Sequence, residues 1–205
     1  MTQIFCFGDS ITYGADDVVL SGWVTRLRLY LEKDPNFKGL VCNLGIPGET
    51  TKGLVSRFET ETKVRIREDK EIESIFIFAY GANDSAFVPS KNHFRVNVDT
   101  FKENLNKTII EAKKFSNKIY IQTITPVVEE ETVNPINKDK SRTNKWIEEY
   151  NSKVLEVAKE QGIEVIDINP AYLKQNYKDL FCKDGLHPND KGHELIFKTV
   201  LEKIT

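Results

Sequence analysis

A three-layer α/β/α sandwich around a five-stranded parallel sheet is the fold the sequence predicts, and three observations predict it. Five runs of strand length are rich in apolar residues, and the apolar positions fall on both faces, as in strands of a buried parallel sheet. Stretches of helical periodicity separate them. Four of the runs end at a glycine or at Thr-Pro, residues that stop a strand. With 205 residues, the chain is long enough for one compact domain with a sizeable core and short for two. Residues 1–205 are therefore read as one domain.

The first run, 4–7, is β-prone and stopped by Gly8. Trp23, Val24, Leu27, Tyr30 and Leu31 then form an apolar helical stripe. The second run, 39–44, ends at Gly45, and Leu54, Val55 and Phe58 mark a shorter helix. The third, 74–80, ends at Gly81. Val98, Phe101, Leu105, Ile109 and Ala112 come next at spacings of three and four, the strongest amphipathic pattern in the chain. The fourth, 118–124, ends at Thr125-Pro126. Residues 127–141 are long and polar, contain Pro135, and read as an excursion over the surface near the sheet edge. Trp146, Tyr150, Val154 and Val157 build the next helix, with Gly162 as its C-terminal cap. After the fifth run, 163–168, Asn189 is the N-cap of a last helix that buries Leu195, Ile196, Thr199 and Val200. Right-handed crossovers bring the carboxyl ends of all five strands to one edge.

Composition excludes several classes of function. Basic and acidic residues number 29 and 31, for a net charge of -2, so neither nucleic acid nor an anionic membrane is an expected partner. Lys138, Lys140, Arg142 and Lys145 make the one denser basic stretch, which reads as a solvated loop. The cysteines Cys6, Cys42 and Cys182 are odd in number and form no CxxC, against both a disulfide framework and a thiolate metal site. The opening MTQIFCFGDS lacks a basic segment followed by a long apolar one. The longest apolar run, 75–80, is too short to span a bilayer. The expectation is a cytoplasmic protein without stable membrane association, although a chain trimmed of a leader would look the same. Oligomeric state leaves no trace in the sequence.

The segments at the strand ends carry the chemistry. Gly8-Asp9-Ser10 comes after the first strand, Asn43-Leu44-Gly45 closes the second, Gly81-Ala82-Asn83-Asp84 comes after the third, and Asp184-Gly185-Leu186-His187-Pro188 precedes the last helix. At one crevice these supply the parts for acyl transfer. A serine hydroxyl needs a neighbouring base, and imidazole titrates near neutrality. A carboxylate three residues upstream, Asp184, can orient His187 across a tight turn. Pro188 biases His187 towards extended backbone, on the loop and outside the helix. The Ser10 and Gly45 amides and the Asn83 side chain are available as donors to an oxyanion, and glycine at 45 removes a Cβ from their midst.

These blocks, Gly8-Asp9-Ser10-Ile11-Thr12, Gly45 within 43–51, Gly81-x-Asn83-Asp84 and Asp184-x-x-His187-Pro188, occur in order over nearly the whole chain. The chain thereby resembles the SGNH, or GDSL-type, hydrolases. The resemblance implies a flavodoxin-like sheet, Ser10 as nucleophile, His187 as base, and Asp184 as its orienting acid. It implies an oxyanion hole of Ser10, Gly45 and Asn83 and no cofactor; no metal is expected, and the expected partner is a small-molecule ester substrate. The expected activity is hydrolysis of carboxylic esters with short acyl groups, since no long apolar insertion is present to cover a deep acyl tunnel.

Plainer readings stand beside these. Ser10 alone would be a turn or N-cap serine, Asn83 a turn residue, and Gly81 a strand-end glycine. Asp9 and Asp84 read as structural hydrogen-bonding groups. His187 and His193 with Asp184 raise a metal site, but the sequence offers no further ligand candidate. His93 reads as a surface histidine and Cys182 as structural. Tyr13, Phe87 and Val127 line the pocket or simply pack. A non-catalytic binding module has no need of serine, histidine and aspartate together. Phosphotransfer through Asp9 lacks a second carboxylate, because position 11 is Ile11.

Overall fold

The computed structural model describes residues 1–67, 72–133 and 139–205. Five strands form a parallel sheet: β1 (Thr2–Gly8), β2 (Gly39–Gly45), β3 (Glu73–Ala79), β6 (Lys118–Gln122) and β7 (Glu164–Ile166). Their order is β2-β1-β3-β6-β7. Counting these five alone, this is the flavodoxin-like order, whose switch point lies between the first and third strands. Two further strands, β4 (Phe87–Val88) and β5 (His93–Phe94), form a small antiparallel ribbon.

The side-chain period of two divides the core by chemistry. On β1 and β3, Phe5, Phe7, Phe76 and Phe78 face one side, while Ile4, Cys6, Ile75 and Ile77 face the other. The aromatic side is covered by α3 (Thr51–Lys63), α4 (Val98–Ala112) and α6 (Asn144–Gln161), through Leu54, Phe58, Phe101, Leu105 and Tyr150. The aliphatic side is covered by α2 (Trp23–Glu32), α7 (Ile168–Leu173) and α8 (Asp190–Ile204), through Trp23, Leu27, Tyr172 and Ile196. The predicted helical stripe at 98–112 meets the sheet, as does the one at 146–157 from Tyr150 onward, while Trp146 packs on Phe87 and Phe94. In the last helix Ile196 and Val200 are buried as expected, but Leu195 and Thr199 are only half-buried and His193 and Phe197 are buried beside them. Asn97, Thr143 and Asn189 cap their helices with side-chain oxygens, and Gly162 ends α6 in the left-handed region at φ 59°.

Three short helices carry too little periodicity to be seen in sequence: α1 (Ser10–Tyr13), α5 (Glu129–Thr132) and α7. The fifth predicted strand accordingly shortens to three residues. Ile168 opens α7 instead, and Pro170 is tolerated because the first helical turn needs no N–H there. In 127–141, Pro135 lies outside the described residues, as does Lys138. The described part is not a loose surface excursion. Val127 is fully buried, Val128 N–H donates to the Gly185 carbonyl at 2.9 Å, and Ser141 bridges to Phe87.

Phe58 lies at the centre of the aromatic layer, with ring centroids 5.2 Å from Phe7 and 5.7 Å from both Phe76 and Phe78. Phe58→Ala should lower unfolding free energy by about 3–5 kcal/mol in a urea titration, the usual effect of emptying a phenylalanine site. A change below about 1 kcal/mol would show that the layer collapses around the loss.

Candidate active site

Ser10 begins α1 directly after β1. Gly8 allows the turn: a Cβ there would lie 2.0 Å from Thr12 Oγ1 and 2.9 Å from the Ala79 carbonyl. Asp9 caps α1 by accepting the Ile11 N–H at 2.9 Å. As the first residue of the helix, Ser10 has no intrahelical acceptor for its own N–H. At the other end of the chain, Asp184 Oδ1 accepts the Leu186 and His187 amides, each at 3.0 Å, closing the predicted turn. Asp184 Oδ2 lies 2.6 Å from His187 Nδ1, and His187 Nε2 lies 2.9 Å from Ser10 Oγ. Burial alone would raise the Asp184 carboxyl. The hydrogen bonds from the His187 ring and from both amides outweigh burial and hold it well below the usual carboxylate range.

Asn83 is fixed on three sides. Its Nδ2 donates to Asp9 Oδ2 at 3.1 Å, while Oδ1 accepts from Arg95 Nη1 at 3.0 Å and faces Arg142 Nη2 at 3.5 Å. One N–H of Nδ2 is left for another acceptor. Arg142 also donates to the Ala82 carbonyl at 2.7 Å, and Arg95 to the Gly48 carbonyl at 2.8 Å. Arg142 is buried, which corrects the expectation of a solvated loop residue; its guanidinium replaces water with Asn83, Ala82 and the charge of Asp9. Nothing in the spacing of Arg95 or Arg142 marks them in sequence.

Gly45 requires a second correction. Its N–H donates to Asn43 Oδ1 at 3.0 Å, so that donor is committed locally. The glycine is required for another reason: a Cβ would lie 2.2 Å from the Tyr13 nitrogen, where α1 crosses β2. Three residues on, Ile46-Pro47-Gly48-Glu49 makes a tight turn, with Glu49 N–H on the Ile46 carbonyl at 3.0 Å and Gly48 at φ 77°. This is the type II pattern, proline then glycine at the two central positions. A Cβ on Gly48 would meet nothing within 4 Å, and its N–H has no acceptor among the described residues. The Pro-Gly pair is the signal that marks this turn in the sequence. Arg57 anchors the loop, donating to the Leu44 carbonyl at 2.6 Å and pairing with Glu49 at 2.7 Å.

The neighbouring acids are structural in their contacts. Asp84 Oδ1 accepts the Thr51 amide at 2.9 Å and the Thr51 hydroxyl at 2.5 Å, tying the end of β3 to the start of α3. Asp9 is buried with both oxygens engaged, so it is not placed as a phosphoryl acceptor. Burial pushes Asp9 to about 6, against its hydrogen bonds and the charges of His187 and Arg142. His193 is fully buried in α8, and burial lowers it to about 4, leaving the ring neutral near pH 7. It does not join His187 and Asp184 in a cluster of possible metal ligands; Asp16 does, among the described residues. Burial, aided by nearby Asp16 and Asp184, raises the Cys182 thiol, disfavouring a thiolate. Val127 is buried, whereas Tyr13 is exposed in the helix that Ser10 begins.

A family model described as GDSL-like Lipase/Acylhydrolase matches residues 4–200. The human protein named isoamyl acetate-hydrolyzing esterase 1 homolog is 27% identical over 205 residues, covering 95% of this chain and 78% of that protein. An uncharacterized lipoprotein of Bacillus subtilis, YqeF, is 26% identical over 205 residues, covering 93% of this chain and 76% of its own length. Among solved structures, a lipase/acylhydrolase from Enterococcus faecalis superposes with a TM-score of 0.80 at 26% identity, covering 100% of this chain and 95% of that one. Axe2, an acetylxylan esterase from Geobacillus stearothermophilus, shares the fold with a TM-score of 0.76 at 21% identity, over 98% of this chain and 93% of its own. No helix among the described residues is long and apolar enough to cross a membrane.

Asp84 generates a prediction about pH. Burial pushes its carboxyl from 3.8 to about 6, with Asp9 adding to the rise and the Thr51 hydrogen bonds opposing it. Between those values the native protein holds a proton that the unfolded chain has released. The stability it contributes is therefore complete below about pH 4 and is lost as pH rises through about 6. Asp84→Asn keeps the acceptor oxygen and removes the titration. Wild-type stability relative to this variant should fall by about 3 kcal/mol between pH 4 and pH 7, measured by urea denaturation. A difference that stays constant with pH would show that Asp84 titrates as in the unfolded chain.

Proposed function

The chain belongs to the GDSL-like lipase/acylhydrolase family and is a carboxylic ester hydrolase, and from that premise we propose that it acts through an acyl-enzyme on Ser10, with His187 and Asp184 completing a triad in a single domain. The observation that carries this reading is the relay Ser10 Oγ, His187 Nε2, His187 Nδ1 and Asp184 Oδ2, with links of 2.9 and 2.6 Å. His187 takes the Ser10 proton at Nε2 as Oγ attacks the ester carbonyl. The imidazolium so formed keeps its Nδ1–H on Asp184. The negative oxygen of the tetrahedral intermediate is received by the Ser10 N–H, the free N–H of Asn83 and, in place of Gly45, the Gly48 N–H. All three are held before reaction, so charge develops against fixed dipoles. Collapse expels the alcohol, protonated by His187. Water then repeats the sequence on the acyl-enzyme, with His187 as base, and releases the acid.

Short acyl groups suit a chain with no long apolar insertion to cover a deep acyl tunnel. The human relative's name refers to isoamyl acetate, a short-acyl ester. Activity on p-nitrophenyl acetate should therefore exceed that on the dodecanoate below its micelle threshold, and the reverse order would remove the short-acyl preference.

Two variants test the mechanism. Ser10→Ala should abolish both esterase turnover and labelling by a fluorophosphonate while leaving thermal unfolding unchanged. Appreciable turnover by the pure variant would exclude Ser10 as nucleophile. Asn83→Ala should lower kcat by about a hundredfold to a thousandfold with KM nearly unchanged, because the oxyanion exists only in the transition state. A near-normal kcat with a clearly lowered melting temperature would leave Asn83 a turn residue only.

A further inference from the structure

A second carboxylate reaches the same imidazole nitrogen as Asp184. Asp16 Oδ2 lies 3.2 Å from His187 Nδ1, against 2.6 Å for Asp184 Oδ2. Asp16 comes from the loop between α1 and α2, at the opposite end of the chain. Its contact is built into the backbone. Asp16 is one of three non-glycine residues with positive φ among the described residues, at 65°, a conformation L-residues avoid and which Asp and Asn tolerate best. The next residue prevents relaxation. Asp17 Oδ1 accepts the Val19 and Leu20 amides at 3.0 and 3.3 Å, and Oδ2 accepts the Gly22 amide at 2.8 Å and a buried ion pair from Arg26. From the other side, the Gly14 and Ala15 amides bond the Ser10 carbonyl at 3.0 and 2.9 Å. The loop is therefore closed at both ends around Asp16, whose strained backbone aims its side chain at His187. Such strain is sustained where the surroundings enforce it, and it concentrates at functional positions.

We propose that Asp16 is a positioning residue for His187, a second carboxylate within ion-pairing distance of Nδ1 that attracts the imidazolium as it forms and takes over the Nδ1–H, and so the working tautomer, when Asp184 is lost. This role rests on the triad reading and deepens it. The two acids are unequal. Asp184 has the shorter contact and an oxygen held by two amides. The Asp16 side chain is 56% exposed, so solvent screens its charge. Asp184 dominates, and Asp16 matters most when Asp184 is lost. In triads with one acid, changing it to the amide lowers kcat by about ten-thousandfold, because the imidazole turns to the wrong tautomer. Here a carboxylate remains after that change.

The experiment is a double-variant cycle with Asp16→Asn and Asp184→Asn, both close in shape and the first compatible with left-handed backbone. Asp16→Asn alone should lower kcat about two- to fivefold with KM and melting temperature unchanged. Asp184→Asn should lose only about a hundredfold, and the pair together should reach the full ten-thousandfold loss. A double variant no slower than Asp184→Asn would overturn the proposal. So would a lowered melting temperature in Asp16→Asn with kcat per folded molecule unchanged. An NMR measurement without substrate keeps this separate from the esterase reading. The low-field His187 Nδ1–H proton should persist in Asp184→Asn and vanish in the double variant, whether or not any ester is turned over. Its disappearance already in Asp184→Asn would count against Asp16. Wild-type protein that no fluorophosphonate labels would instead defeat the triad reading while leaving the proton signal to decide the contact.

Discussion

The hydrogen bond from Asn83 Nδ2 to Asp9 Oδ2 joins the ends of β1 and β3, and the rest of the site is arranged around it. Asp9 also caps the helix that begins with Ser10, so the serine and the amide that would face its oxyanion share one carboxylate. Arg95 extends the arrangement to the Gly48 turn after β2, and Arg142 extends it to the segment after β6. Four connections that lie far apart in sequence thereby become a single rigid surface at the topological switch point. Catalytic dipoles are useful only if they need not reorganise during reaction, and this network removes that freedom in advance.

The network carries an electrostatic cost that the fold offsets. Asp9 and Asp84 are buried at the same sheet edge, and burial moves each carboxyl up to about 6. Arg142 brings one buried positive charge and Thr51 brings two donors to Asp84. The offset is complete for Asp9, whose two oxygens are both bonded, and partial for Asp84, whose Oδ2 is buried without a hydrogen-bond partner. The acid of the proposed triad takes the opposite course. Hydrogen bonds hold the Asp184 carboxyl low and ionised, as an acid that stabilises an imidazolium requires. Carboxylates gathered at one edge thus have different duties, because one pair is desolvated and the other acid is wrapped in donors.

Much of this is legible in the sequence. The strands at 4–7 and 74–80 announce themselves because the centre of a parallel sheet covered on both faces needs apolar residues at successive positions, whereas the edge strand at 39–44 and the strand at 118–124 carry polar residues and are marked as much by Gly45 and by Thr125-Pro126. The four blocks place Ser10, Asn83, Asp184 and His187 where the structure brings them together. The features that escape sequence reasoning are those that depend on long-range contact. Arg142 has the composition of a solvated loop and becomes buried only because Ala82 and Asn83 meet it across 60 residues of chain. Asp16 is an ordinary loop acid until its neighbour Asp17 pins the turn. Pro47-Gly48 marks a turn in the sequence, but only the structure shows that the Gly45 N–H is taken by Asn43 while the Gly48 N–H has no acceptor among the described residues. Helices of four to six residues, such as α1, α5 and α7, are too short for a period to be read.

The claim that most depends on this geometry is that Ser10 attacks into a hole made by its own amide, the Asn83 side chain and the Gly48 amide. A crystal structure of the protein after reaction with a small fluorophosphonate tests it directly, because the phosphonyl oxygen occupies the position of the oxyanion. The account predicts a covalent bond to Ser10 Oγ, with that oxygen within hydrogen-bonding distance of all three nitrogens and Gly45 N–H still on Asn43. A phosphonyl oxygen turned away from Asn83 and Gly48, or an adduct on any other side chain, would contradict it.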